Sequence, residues 1–248
     1  MTHPLDPATA DELTAAVAVL RGADHLGDRA FFSAGWAAEP SRDTIARHDA
    51  GESVERTVRL IGHDRRRGQS FEADVSLSDA DVSSFRWVDD GQAPISFDDV
   101  VLVVTHLTGH PEWLAALEKR GITDLEKVHI EPWLAGIRPP HMSTGRVLRA
   151  IAFLHEHPED NYYARPVEGL TAYIDTDSGE TIVEDHGVVP VPMEAAEYAA
   201  QFVEDMRTDL KPLDITQPEG PSFDVDGNVL TWQRWHMRVS VNPVEGLV

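Results

Sequence analysis

The sequence predicts an α+β fold: two small domains, each a helix packed on an antiparallel sheet, followed by a short β segment. Three observations carry this. The order of capping box, helical apolar stripe and period-two runs occurs twice, over residues 5–90 and 95–195. Gly91-Gln92-Ala93-Pro94 interrupts the pattern between them. After a partly helical connector at 196–211, residues 212–248 return to strand-like alternation, with Val239 and Val241 on one face and an end at Gly246-Leu247-Val248 without cap or polar tail.

In the first domain, Thr9-Ala10-Asp11-Glu12 fits a capping box, with Thr9 as N-cap and Glu12 three residues on. Leu13, Val17 and Leu20 continue at helical spacing, and Gly22 ends the run. Strand patterns follow in "RAFFSAGWAA", "SVERTVRLIGHD", "QSFEADVSLSD" and "SSFRWVDD", giving one helix and then four antiparallel strands. In the second domain, Ser96 with Asp99 repeats the capping box. Phe97, Val100, Val101, Val104 and Leu107 form one helical stripe. Gly109 and Pro111 break it, and "PEWLAALEKRG" makes a short second helix closed by Gly121. Strands are expected in "KVHIEPW", "VLRAIAFLHE", "VEGLTAYIDTDSG" and "ETIVEDHGVVPVP", the last two separated by the Asp177-Ser178-Gly179 turn. Asp226-Gly227-Asn228 is a tight hairpin turn.

Composition narrows the function classes. The 248 residues carry 43 acidic against 21 basic side chains, a formal charge of −22. Such a field repels nucleic acid and anionic membranes and concentrates cations, amines among them. Lys119, Lys127 and Lys211 are the only lysines, and an acid-rich, lysine-poor surface also suits a high-salt interior. Without cysteine, disulfides, thiolate metal sites and cysteine nucleophiles are excluded. The start, Met1-Thr2-His3-Pro4-Leu5-Asp6, shows no secretory signal, and the apolar stretch at 100–104 is far short of the roughly 18–20 residues of a membrane span. A cytoplasmic protein is the expectation.

His155 and His157 alternate as two ligands on one strand face would, but two ligands are too few without a third, and Pro158 follows at once. His106 and His110 stand at the helical pair spacing where the helix is already ending. "DVDGN" at 224–228 places its glycine too early for a calcium loop. No GxSxG, GxGxxG, P-loop or HExxH is present, so residue chemistry alone marks no active site.

Long runs change that. "HPLDPATADEL", "RPVEGLTAYIDTDSGETIVEDHGVVPVP" and "DLKPLDITQPEGPSFDVDGNVLTWQRWHMRVSVNPVEGLV" closely resemble the copper amine oxidases, over essentially the whole chain. The resemblance implies two small cystatin-like domains (N2-like at 5–90, N3-like at 95–195) and, at 212–248, the first strands of a β-sandwich catalytic domain that continues elsewhere. It implies an oxidoreductase that converts primary amines to aldehydes with release of ammonia and hydrogen peroxide. The family uses copper held by three histidines, a catalytic aspartate and topaquinone, a quinone made from the tyrosine of an Asn-Tyr-Asp motif. That motif does not occur here, since Asn161 is followed by Tyr162 and Tyr163. No catalytic, cofactor or metal residue is therefore assigned to this chain. It is expected to be inactive alone, its partners being the catalytic domain and, in a homodimeric enzyme, the primary amine. What carries over is part of a substrate channel. "EPWLAG" matches one wall, with Pro132 and Trp133, and "PEDNYYARP" places Tyr163 at an aromatic gate. Val101 falls where some members carry a larger apolar side chain, which would widen the entrance. The alternatives are a stand-alone binding module derived from the small domains, and a metal-binding protein using the histidine pairs.

Overall fold

The computed structural model describes residues 2–142, 145–157, 159–194, 197, 199–203 and 206–247. They form two compact units, Met1–Pro94 with Asp214–Val248, and Ile95–Leu213.

The first unit begins with α1 (Ala10–Gly22). The Thr9 hydroxyl accepts the Glu12 N–H at 3.2 Å and the Glu12 carboxylate accepts the Thr9 N–H at 2.8 Å, so two otherwise orphaned donors are satisfied. Ala16 and Leu20 bring the helix onto an antiparallel meander, β1 (Ala30–Ala37), β2 (Thr57–Asp64), β3 (Gln69–Ser76) and β4 (Asp81–Val88), in that spatial order. Val58, Leu60, Phe71, Ala73 and Val75 complete the core. Gly62 is the tightest point: a Cβ there would stand 2.2 Å from the Phe31 carbonyl oxygen and 2.5 Å from Phe71 Cζ.

The sequence reading missed α2 (Arg42–Asp49), which lies between β1 and β2. None of its residues is buried, so no apolar stripe announced it. Its one local signal is Ser41, whose side chain accepts the Thr44 N–H at 3.1 Å.

Arg56 ties the N-terminal segment to the sheet. It donates to the carbonyls of His3, Pro4, Asp6 and Pro7 at 3.0–3.3 Å and pairs with the Glu12 carboxylate. One side chain thus satisfies four loop carbonyls and the cap of α1.

The C-terminal residues join the same unit. β9 (Asp224–Asp226), β10 (Val229–Trp232) and β11 (Trp235–Arg238) form a sheet in the order β11-β10-β9, and β12 (Val241–Asn242) pairs with β13 (Gly246–Leu247). Gly227, at φ +57°, makes the tight turn that the sequence places there. Gly246 and Leu247 are thus paired with a preceding strand, and Val248 lies outside the described residues. Asp6 fastens this segment, accepting from Asn228 at 3.1 Å and from Arg238 at 2.5 Å.

The second unit opens with α3 (Phe97–Leu107) and α4 (Pro111–Glu118), which cover a second meander. Its strands are β5 (Val128–Leu134), β6 (Val147–Leu154), β7 (Leu170–Asp175) and β8 (Thr181–Asp185). The Ser96–Asp99 capping box is present. The buried side of α3 is Asp99, Val103 and Leu107, whereas the stripe expected from sequence included Phe97 and Val101, which are 79% and 48% exposed. The helix is rotated because the Asp99 carboxylate turns inward to Arg146, both side chains being wholly buried. Trp113, Ala116 and Leu117 bring α4 onto the same core. Gly121 takes the left-handed conformation, φ +76°, that closes α4. Arg120, its side chain 1% exposed, donates to the carbonyls of Ala116, Gly169 and Gly187 and to the Asp185 carboxylate.

The expected helical character of the connector is not seen among the described residues. The described residues between 191 and 211 form turns and extended chain, and Ala195, Ala196, Tyr198, Glu204 and Asp205 lie outside the described set.

Candidate functional site

Strand alternation gives β5 two different faces. Ile130 is a core residue and Pro132 shares its side, while His129, Glu131 and Trp133 point the other way. They lie opposite Phe153, Ile151 and Arg149 of β6. The loop after β6 folds back over this outer face: the Leu154 N–H donates to the Arg165 carbonyl at 2.9 Å, and Phe153 bridges to Pro166. A 3-10 turn at Tyr162–Ala164 then sets two phenol rings over the strand.

The rings form a contiguous aromatic patch. Tyr162 stacks on His129 with centroids 4.0 Å apart, and Tyr163 meets Phe153 edge-on at 5.2 Å. The Tyr163 hydroxyl donates to Glu131 Oε1 at 3.0 Å. Hydrogen bonding to Tyr162 and then to Glu131 holds the Tyr163 phenol above its usual range, so it stays a neutral donor. Burial, with His155 adding to it, pushes the His129 imidazole below its usual range, outweighing the nearby Glu131 charge. Glu131 Oε2 is buried with no hydrogen-bond partner among the described residues. Exposed ring faces beside a carboxylate attract organic cations. The family pattern assigns Trp133 and Tyr163 to a channel, whereas no spacing rule singles out Glu131 or His129, whose contacts come from a loop returning across the sheet.

The four residues assigned to a channel are distributed as follows. Trp133 and Tyr163, 57% and 55% exposed, share the outer face. Pro132 is buried on the opposite side of the same strand. Val101 stands on the exposed side of α3.

The histidine pairs behave differently from one another. β6 ends at Leu154, so His155 and His157 lie beyond the strand and are not a same-face pair, while Pro158 is outside the described residues. His106 bonds to Thr181 Oγ1 at 2.7 Å, and α3 ends at Leu107, before His110. His3, His48 and Asp49 form a cluster, but His3 Nδ1 accepts the Leu5 N–H at 3.1 Å. In the neutral ring this places the proton on Nε2, the atom that faces Asp49 at 3.6 Å, which disqualifies it as a ligand.

Two family models match the chain. Residues 9–85 match the AGAO-like N2 domain and residues 98–201 the N3 domain of copper amine oxidase. Over its full length the chain is 37% identical to a primary amine oxidase of Arthrobacter sp. (strain P1), covering 38% of that protein. It is 34% identical to a histamine oxidase of Arthrobacter globiformis, with 99% of this chain and 36% of the relative covered. A copper-containing benzylamine oxidase from Hansenula polymorpha shares the fold, with a TM-score of 0.80 at 22% identity over 99% of this chain and 41% of that one. The chain therefore spans less than two-fifths of the length of the curated relatives it matches.

Proposed function

The chain belongs to the copper amine oxidase family, of which it carries the N2 and N3 domains, and from that premise we propose that it supplies scaffold and part of the substrate channel for the oxidation of a primary amine. The overall conversion is amine, dioxygen and water to aldehyde, ammonia and hydrogen peroxide. The observation that carries the channel reading is the half-exposed Tyr163 ring hydrogen-bonded to Glu131, on the outer face of a strand that also exposes Trp133, in a chain of net charge −22. Such a surface draws ammonium ions in and gives them ring faces to pass over.

The residues of this chain do not fit the copper and quinone of the family. Neither cluster of potential ligands among the described residues brings three histidines together, and Tyr162 is stacked against His129. In our reading both groups are held by the catalytic domain, which joins this segment through the apolar side chains of residues 213–247, and the complete enzyme is a homodimer. The role of this chain is then to orient and admit substrate and to support the sheet on which the chemistry is built.

Kinetics of the enzyme containing this segment test the proposal. Trp133→Ala and Tyr163→Ala are expected to raise KM for an arylalkylamine severalfold while leaving kcat nearly unchanged. Val101→Phe is expected to lower kcat/KM for bulky amines more than for methylamine. Unaltered selectivity in all three variants would remove these residues from the channel.

A further inference from the structure

We infer that the loop following β6 and the segment carrying Glu197 form a site for a divalent transition-metal ion, taking Zn²⁺ through His157, Asp160 and Glu197. One ligand atom from each of the three lies within 4.8 Å of the other two. The His157 Nε2 and Glu197 Oε1 atoms are 3.2 Å apart, close to the separation of about 3.4 Å between two ligands on a tetrahedral zinc ion. One imidazole and two carboxylates with a fourth position open is an ordinary zinc donor set.

The loop is built to hold this arrangement. The Asp160 N–H donates to the His157 carbonyl at 3.0 Å, closing a turn that brings the two side chains together. Asp160 Oδ2 accepts the Glu156 N–H at 2.7 Å and pairs with the Arg165 guanidinium. These second contacts fix the carboxylate as outer-shell partners fix metal ligands. Phe202 packs its ring 4.7 Å from that of His157, and Gln201 donates to Glu159 at 2.7 Å, so residues 201 and 202 are docked on the same loop.

The unexplained atom is Asp160 Oδ1. Asp160 is 7% exposed, and Oδ1 is buried with no hydrogen-bond partner among the described residues. A buried carboxylate oxygen left bare is costly. A divalent cation bonded to His157, Glu197 and Asp160 Oδ1 supplies the missing partner. This inference does not depend on the channel reading.

Zinc titration of the chelator-treated chain tests it, with Mg²⁺ and Ca²⁺ as oxygen-preferring controls. One zinc ion per chain is expected, with zinc-edge X-ray absorption showing mixed imidazole and carboxylate ligation. His157→Ala and Glu197→Gln should each weaken binding by at least the roughly 10–100-fold that loss of an outer-shell partner costs. His48→Ala and His106→Ala should leave it unchanged. Glu197→Gln preserves side-chain shape, and circular dichroism of each variant verifies its fold. The inference is overturned if zinc does not bind stoichiometrically, if its affinity is the same in His157→Ala and Glu197→Gln as in the native chain, or if Mg²⁺ or Ca²⁺ binds as tightly.

Discussion

Asp99 and Arg146 form a two-pronged ion pair in the interior of the second unit, with Nη2 to Oδ2 at 2.7 Å and Nε to Oδ1 at 3.2 Å. The same carboxylate accepts the Ser96 N–H at 2.9 Å, so one side chain caps α3 and locks it to the start of β6. Both side chains are wholly buried, which makes the pair a point where a small chemical change has a large effect.

Removing one partner leaves the other charge buried and unpaired. Asp99→Asn or Arg146→Met is expected to destabilise the second unit by about 3–5 kcal/mol. Urea unfolding followed by Trp113 fluorescence measures this, and a change below 1 kcal/mol would show that the pair contributes little.

The same pair gives a pH dependence. Burial pushes the Asp99 carboxyl upward, but hydrogen bonds from Arg146 and Ser96, with the Arg146 charge, outweigh it and hold the group below its usual range. A depressed folded-state pKa contributes stability that is fully present above the unfolded value, about 4, and is lost as pH falls through the folded value. Native protein is therefore expected to lose stability steeply below about pH 4. Where Asp99→Asn still folds, its acid slope should be shallower, and equal slopes would place the acid sensitivity elsewhere.

Gly62 tests the packing of the first unit. Its absent side chain admits the Phe31 carbonyl and the Phe71 ring, and a Cβ at 2.2 Å from backbone cannot be relieved by a rotamer change. Gly62→Ala should cost about 3 kcal/mol or more. Thermal melts report the loss, and an unchanged Tm would mean that β1 and β2 part more easily than the register implies.

The C-terminal segment is held at few points and carries much exposed apolar surface. Trp235, Val241 and Leu247 are 61%, 64% and 75% exposed, and the short ladders leave open edges. Limited proteolysis should cut first between Arg207 and Phe223, a stretch in which every residue is exposed. Arg238→Ala removes the clasp on Asp6 and should speed further cleavage beyond Phe223. Concentration-dependent self-association in sedimentation velocity is expected of the intact chain and not of the trimmed one. A protected, monomeric tail would argue for the stand-alone module.

Much of this was legible in the sequence because it is local. Both capping boxes, the strand runs, the Gly121 closure and the turn at Gly227 are each set by a few neighbouring residues. The phase of α3 was not, because Asp99 was counted polar and its buried partner Arg146 lies 47 residues away. The helix Arg42–Asp49 escaped because it buries nothing. Trp133 and Tyr163 are assigned to the channel by the family pattern alone. Glu131 and the meeting of His157 with Glu197 depend on loops folding back across the sheet, which no spacing rule reports.

The central claim is that this chain admits and supports while the catalytic domain performs the chemistry. Peroxide release tests it most directly. The isolated chain, loaded with copper and given a primary amine under air, is expected to form no hydrogen peroxide above a protein-free control, whereas the enzyme that includes this segment does. Amine-dependent peroxide from the isolated chain would contradict the account, since it would place a complete redox centre among residues read here as scaffold.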